Sequence, residues 1–167
     1  MTYASASRHA ERRSWKPWAV AFGCWVLFIW GHSLVQGPAS SLESGRVVAL
    51  VRPLFEVVGV TDHDLMSLIV RKCAHFSEYA VLGVIARGLF SRLRAERGVP
   101  AWAGVLAVAA VPVADECLQL FVPGRTGMPT DVLIDLAGAT TGALLSWACA
   151  RWLAGRAAHQ RPNVSGS

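Results

Sequence analysis

Ionisable side chains lie inside the most apolar segments of this 167-residue chain. A charged side chain at the centre of a membrane-spanning helix costs about 2.5 to 3.5 kcal/mol even on the insertion scale, so such groups persist when they pair, meet water or take part in function. Imidazole and carboxyl groups together can carry out general acid–base chemistry. The residues concerned are Arg71, Lys72, His75, Glu78, Asp115, Glu116, Asp131 and Asp135.

The first apolar segment combines a cation, an imidazole, a carboxylate and a phenol. Lys72, His75 and Tyr79 follow the i, i+3, i+7 spacing of one helical face, and Glu78 lies on an adjoining line. His75 could exchange protons while the other three side chains bind a substrate. In the alternative, Lys72 extends to the interface, His75 binds a backbone carbonyl and Glu78 pairs with a base.

The next segment contains two adjacent carboxylates and an amide. Asp115 and Gln119 are spaced i, i+4, whereas Glu116 is rotated by about 100° around the helix. A carboxylate and an amide on one face can bind a hydroxylated or amide ligand, and one of two adjacent buried carboxyl groups is expected to hold a proton. In the alternative, the carboxylates form an ion-pair lock with a base such as Arg125.

A connection rich in Gly and Pro, residues 122–130, separates this segment from the last one. Arg125 lies in it, beside the predicted N-terminus of a helix, and both can hold a phosphate or carboxylate. A capped turn with a solvated arginine is the rival interpretation. Asp131 and Asp135 begin the last segment and are candidate binding residues, although Asp131 could equally be a helix cap.

The apolar content of 53% is too high for an ordinary soluble domain and predicts an all-α, polytopic membrane helix bundle. A short amphipathic helix at residues 45–60 is expected at the membrane interface, between the first and second spans. The basic residues form no patch with interleaved aromatics, so we expect no nucleic-acid partner. The four predicted transmembrane helices are residues 17–35, 65–86, 100–122 and 131–153.

Basic residues assign the two sides of the membrane. The tail 1–16 holds four, the connection 87–97 holds four against one acid, and three follow from residue 151 onward. These regions are therefore predicted to be cytoplasmic, which puts every polar cluster toward the outer leaflet. The predicted organisation is a cytoplasmic basic tail (1–16), a four-helix membrane domain (17–154) and a disordered cytoplasmic tail (155–167).

The cysteines and histidines do not follow a metal-binding pattern. The four cysteines are far apart and lie in apolar stretches, so we expect buried free thiols. Cys73 and His75 point to different sides of a helix, and no HExxH motif occurs. The sequence predicts no metal and no cofactor.

Three motifs together resemble the VanZ-like family. The resemblance extends over all four predicted spans and leaves both tails out. Two departures are Asp135, where an Asn is common, and Arg71, where an Asp often precedes the lysine. The motifs are Lys72-x-x-His75-Phe76-x-Glu78-Tyr79-x-x-Leu82-Gly83, Asp115-Glu116-x-x-Gln119-x-Phe121-x-Pro123-Gly124-Arg125 and Asp131-x-x-x-Asp135-x-x-Gly138-x-x-x-Gly142.

The resemblance implies a bacterial protein of the cytoplasmic membrane, related to a founding member associated with resistance to the glycopeptide antibiotic teicoplanin. One hypothesis is an enzyme acting on an outer-leaflet lipid or lipid-linked cell-wall precursor. The other is a non-catalytic membrane module that binds a lipid head group, an antibiotic or a partner protein. The oligomeric state stays open. The candidate catalytic residues are His75, Asp115 and Glu116, and the candidate binding residues are Lys72, Glu78, Tyr79, Gln119, Arg125, Asp131 and Asp135.

Overall fold

The computed structural model describes residues 14–34, 37–123 and 127–159. Within these ranges the chain forms five α-helices and no strand, which confirms the predicted all-α class. The first and fourth helices lie close to predicted spans, and the second is the predicted helix between the first two spans. The helices are α1 Lys16–Ser33, α2 Gly37–Val57, α3 His63–Arg97, α4 Ala101–Gln119 and α5 Pro129–His159.

Three helices are longer than the sequence predicts. Helix α2 begins at Gly37 rather than at residue 45, and it ends before Gly59, whose φ of 79° is left-handed. Helix α3 continues through the predicted connection 87–97, where Leu, Arg, Ala and Glu are strong helix formers. Helix α5 begins at Pro129, so Asp131 lies in its first turn rather than at the capping position that the sequence left open for it.

Helix α3 is capped at both ends by local features of the sequence. The Asp62 carboxylate accepts hydrogen bonds from the backbone N–H groups of Asp64 and Leu65. At the other end, Gly98 adopts a left-handed φ of 68°, after a last turn that contains Arg94 and Arg97. The helix has 35 residues and is therefore about 52 Å long, more than the ~30 Å hydrocarbon core of a bilayer.

Contacts between the helices fix their relative directions. In the contacts between α1 and α4, and in those between α3 and α5, the residue numbers of both partners increase together, so the helices of each pair are parallel. In the contacts between α1 and α3, one number increases as the other decreases, so these two helices are antiparallel. This alternation is the one expected for four successive spans. The contacts are Trp30–Val111 and Ser33–Asp115, Lys72–Asp131 and Arg87–Ser146, and Trp18–Gly88 and Trp25–Glu78.

Helices α3 and α5 approach backbone to backbone because glycines line their contact. A Cβ atom on Gly83 would lie 1.9 Å from the backbone oxygen of Ala139, and one on Gly142 would lie 1.8 Å from that of Ala80. A Cβ on Gly138 would come within 2.4 Å of another backbone oxygen of α3. The close approach predicted by the glycine spacing on α5 is therefore present.

Many large apolar side chains are exposed on the outside of the bundle, whereas some acidic side chains are buried within it. Leu50 and Phe121 are more than 80% exposed, whereas Asp115 and Asp135 are at most 1% exposed. Helix α4 and the stretch Pro129–Ala157 of α5 are long and apolar enough to cross a membrane. With the exposed apolar surface, these two helices indicate a membrane protein. Crossings by α1 and α3 stay predictions.

The four cysteines carry free thiols, as predicted, but they are exposed on the outer faces of helices, so the prediction that they are buried is wrong. Hydropathy alone could not distinguish an inward from an outward thiol, because both faces of these helices are apolar. The cysteines are Cys24, Cys73, Cys117 and Cys149.

An arginine–tryptophan layer lies where α1 begins and where α3 and α5 end. Each guanidinium carbon is 3.9–5.2 Å from the centroid of a tryptophan ring, within the range of cation–π attraction. Such side chains are typical of a membrane interface. The pairs of this layer are Arg92–Trp18, Arg97–Trp15, Arg151–Trp147 and Arg156–Trp152.

Candidate functional site

The end of the bundle opposite the arginine–tryptophan layer contains the buried carboxyl groups among the described residues, together with other buried or partly buried polar side chains. Helices α1 and α4 run in one direction and α3 and α5 in the other. The ends of α1 and α4 therefore meet the first half of α3 and the start of α5 here. We call these groups the polar cluster. It comprises His32, Ser33, Lys72, His75, Glu78, Tyr79, Asp115, Glu116, Gln119, Asp131 and Asp135.

Asp115 is held by side chains from two helices. Its Oδ2 atom accepts a hydrogen bond from Ser33 Oγ of α1 at 2.8 Å and another from Gln119 Nε2, one turn further along α4, at 3.2 Å. All three residues are buried. The predicted common face of Asp115 and Gln119 is confirmed, and these contacts fix the orientation of the carboxylate.

Three chemically active side chains come together from three helices. A ring nitrogen of His75 and one carboxylate oxygen from each of Asp115 and Asp135 lie within 4.8 Å of one another. Asp135 is 1% exposed, and neither of its carboxyl oxygens has a hydrogen-bond partner among the residues the structure describes. We call these three residues the triad. Its imidazole and carboxyl groups are of the types used in proton transfer and in metal binding.

Glu78 faces α1 rather than the triad. Its Oε1 atom is 2.8 Å from His32 Nδ1, and the pair is partly buried. On the same stretch, Trp25 Nε1 donates a hydrogen bond of 2.9 Å to the backbone oxygen of Glu78. These two contacts attach α1 to α3, which favours the alternative role of Glu78 as a partner of a base.

Lys72 and Asp131 form an ion pair between α3 and α5 at the edge of the cluster. Each side chain is 25% exposed, so both remain accessible from one side. The two residues were separate candidates for substrate binding. The structure instead joins them, and the charge of Lys72 is already balanced by a carboxylate.

Glu116 holds the connection that follows α4. Its Oε2 atom accepts a hydrogen bond of 2.6 Å from the backbone N–H of Met128, just before α5. Gly127 is tightly seated there, since a Cβ atom would lie 3.0 Å from the backbone oxygen of Glu116. The carboxylate therefore faces a different direction from Asp115, as the rotation of about 100° between successive residues requires.

Tyr79, a member of the polar cluster, is completely buried. Its hydroxyl has no hydrogen-bond partner among the described residues. The ring packs with Ile29, Leu82 and Val111 in the apolar core. The ring thus contributes to the packing of the core, while the hydroxyl group can bind a ligand or a water molecule.

An apolar groove of about 370 Å³ runs between α3, α4 and α5. Gly83 begins its α3 side one helical turn after Tyr79, and Leu136 on α5 directly follows Asp135. Phe90 and Val108 line it further along. The groove therefore extends from the level of the polar cluster toward the arginine–tryptophan layer.

The structure brings together nine of the ten predicted site residues. The tenth, Arg125, lies outside the described residues, as does the predicted anion seat around it. Sequence reasoning did not include His32 and Ser33 among the site residues. The signal was available, because both are polar side chains at the end of an otherwise apolar span.

Comparison with known proteins gives one positive result. A model of the VanZ/LLP1 family matches residues 18–151, which include all the described residues of the polar cluster. Curated proteins and solved structures give no match to the chain. The match covers most of the chain and agrees with the resemblance carried by the three motifs.

Proposed function

Since the chain belongs to the VanZ/LLP1 family, we propose that it is a membrane protein of the bacterial cell envelope whose polar cluster acts on a lipid or lipid-linked envelope molecule. In this role it contributes to glycopeptide resistance or to envelope maintenance. The observation that carries the proposal is the burial of Asp115, Asp135 and Glu116 at one end of a bundle with an apolar exterior. Ionisable groups held in such a bundle are functional by default.

The neighbouring groove supports a lipid as the ligand. Apart from Arg87 and Thr140 its lining is apolar, as an acyl chain or a polyprenyl chain requires. A chain lying in it would bring the attached head group to the level of the triad. Phosphate, hydroxyl and amide groups of that head group could then contact carboxyl and amide side chains.

The proposed chemistry is proton transfer to or from the head group. His75 would exchange protons with the reacting group, Asp115 and Asp135 would orient it, and Tyr79 would donate a hydrogen bond. Glu116 is a second candidate base, at the connection to α5. The proposed direction of the site is toward the outer leaflet, with both termini in the cytoplasm.

A non-catalytic module is the second candidate, and the internal pairing of the cluster favours it. Glu78 is paired with His32 and Lys72 with Asp131, while Glu116 binds a backbone N–H group. Residues paired in this way stabilise a bundle and shape a recognition surface without needing to react.

Chemical conversion distinguishes the two candidates. Purified protein is incubated with outer-leaflet phospholipids, lipid-linked cell-wall precursors and teicoplanin, and each is followed by mass spectrometry. If the protein is an enzyme, His75→Gln should lower turnover by about 10²–10⁴-fold at unchanged binding, as expected for loss of a general acid or base. Glu56→Gln is the control, because that side chain pairs with Arg52 on exposed α2. Binding without conversion of any of these molecules would contradict the catalytic proposal and favour the module.

Resistance is tested separately in cells. A strain lacking this chain receives the wild type, His75→Gln or Glu56→Gln, and the inhibitory concentration of teicoplanin is measured at matched protein abundance. If the strain with His75→Gln loses protection while the strain with Glu56→Gln keeps it, the result supports a role of the cluster in resistance. Equal protection by both variants would contradict that role.

A further inference from the structure

The triad has the composition and spacing of a metal site. We propose that His75, Asp115 and Asp135 bind one divalent transition-metal ion, Zn²⁺ or Mn²⁺. This inference goes beyond the proposed function, because the ion would occupy the site whether or not a lipid or antibiotic binds. It also differs from the sequence prediction of no metal, which did not consider Asp135 as a ligand.

The size of the triad suits a single ion. Its ligand atoms are within 4.8 Å of one another, and a triangle with sides of that length has its centre about 2.8 Å from each corner. Bonds of Zn²⁺ to imidazole nitrogen or carboxylate oxygen are about 2.0–2.2 Å long. Each atom therefore has to move inward by less than about 1 Å, which a small side-chain rotation on each helix can provide.

Asp135 supplies the independent indication of a ligand. Its carboxylate is 1% exposed, and both oxygens lack a hydrogen-bond partner among the residues the structure describes. Lys72, the lysine one turn before His75, is paired with Asp131 instead. A buried carboxylate needs a counter-charge or a proton, and a divalent ion shared with Asp115 would supply the former to Asp135.

The surroundings of Asp115 are those of a metal ligand. Ser33 Oγ and Gln119 Nε2 both donate to its Oδ2 atom and hold the carboxylate in one orientation. Outer hydrogen bonds of this kind orient metal ligands and raise metal affinity. We therefore assign Ser33 and Gln119 as positioning residues, which act on the ion through Asp115.

The donor set also selects the kind of ion. One imidazole nitrogen and two carboxylate oxygens suit Zn²⁺ or Mn²⁺, whereas Mg²⁺ and Ca²⁺ prefer oxygen donors alone. Three protein ligands leave at least one coordination position open, which is typical of catalytic rather than structural sites. A water molecule or a phosphate oxygen could occupy that position.

Metal content of the purified full-length protein tests the proposal. The protein is stripped with EDTA in detergent, titrated with ZnCl₂, MnCl₂ or MgCl₂, and analysed by plasma mass spectrometry after removal of unbound ion. We expect about one Zn²⁺ or Mn²⁺ per chain and little Mg²⁺. No ion above the background of a metal-free detergent blank would overturn the proposal.

Variants locate the ion. His75→Gln and Asp135→Asn should abolish stoichiometric binding, whereas His63→Gln on the same helix as His75, and Asp131→Asn on the same helix as Asp135, should retain it. Ser33→Ala should weaken binding by about 10–100-fold without changing the stoichiometry. Full binding by Asp135→Asn would overturn the assignment of the site.

Thermal unfolding separates loss of binding from loss of folding. Asp135→Asn removes a buried charge, so it should melt no lower than the metal-free wild type, and added Zn²⁺ or Mn²⁺ should raise the melting temperature of the wild type alone. If instead neither ion shifts the wild type, the metal proposal is wrong, and similar melting temperatures of Asp135→Asn and the wild type would then indicate that Asp135 is held as a neutral acid. No lipid or antibiotic is present, so this result is independent of the proposed function.

Discussion

Replacing Gly142 by alanine should separate α3 from α5. The added Cβ atom would lie 1.8 Å from the backbone oxygen of Ala80, where an ordinary contact needs at least 3.4 Å. The two backbones would therefore have to move apart by about 1.6 Å, since neither helix backbone can be compressed. Overpacking of this kind lowers the free energy of unfolding by about 1–3 kcal/mol. We expect the upper end of that range, because the clashing atom is in the backbone and cannot rotate away.

Gly155 on the same helix provides the matched control. A Cβ atom there meets nothing within 4 Å, and the residue is exposed. Gly155→Ala should therefore stabilise the protein by about 0.5–1 kcal/mol, the ordinary gain from alanine in a helix. The two alanine variants are predicted to change stability in opposite directions although the chemical change is identical.

The assay is reversible unfolding in mixed detergent micelles, followed by tryptophan fluorescence and circular dichroism. The free energy of unfolding of each variant is compared with that of the wild type. Because the same separation moves α5 away from His75, Gly142→Ala should also weaken the proposed metal binding. If Gly142→Ala is as stable as Gly155→Ala, the close approach of the two helices is wrong, and so is the geometry of the triad that depends on it.

Three further outcomes are expected. Trp25→Phe removes an indole N–H donor to a backbone oxygen of α3 and should lower the free energy of unfolding by about 0.5–1.5 kcal/mol in the same assay. A double-mutant cycle of Lys72→Gln and Asp131→Asn should give a favourable coupling of about 0.2–1 kcal/mol, because the pair is partly exposed, and zero coupling would contradict the ion pair. In a cysteine-free background, an impermeant thiol reagent added outside cells should label Phe121→Cys but not Ser14→Cys; the reverse pattern would refute the predicted topology.

Much of the polar cluster could be predicted because charge in apolar sequence is conspicuous. His75, Asp115 and Asp135 were each noticeable within a hydrophobic segment, and the alternating direction of the spans brought them to one end. Helical periodicity also predicted that Asp115 and Gln119 share a face. These inferences need only the sequence and the geometry of a helix.

The partners of these groups could not be predicted, since they depend on how the helices rotate against one another. Sequence alone did not indicate that Lys72 would pair with Asp131 or that Ser33 would contact Asp115. The grouping of His75, Asp115 and Asp135 could not be predicted for the same reason, because residues on three helices leave no local spacing. The length of α3 was underestimated because charged residues were interpreted as a connection, although arginine, leucine and glutamate continue a helix readily.

The arginine–tryptophan layer also bears on how bilayer thickness affects the site. If this layer anchors the bundle in the cytoplasmic head groups, the polar cluster has a fixed height above it: Asp115 is fourteen residues beyond the start of α4, or about 21 Å. In a hydrocarbon core of ~30 Å the cluster then lies about 9 Å inside the outer boundary of that core. Each ångström of bilayer thinning brings it about one ångström closer to external water, so lipid composition would regulate access to the site without any change in the protein.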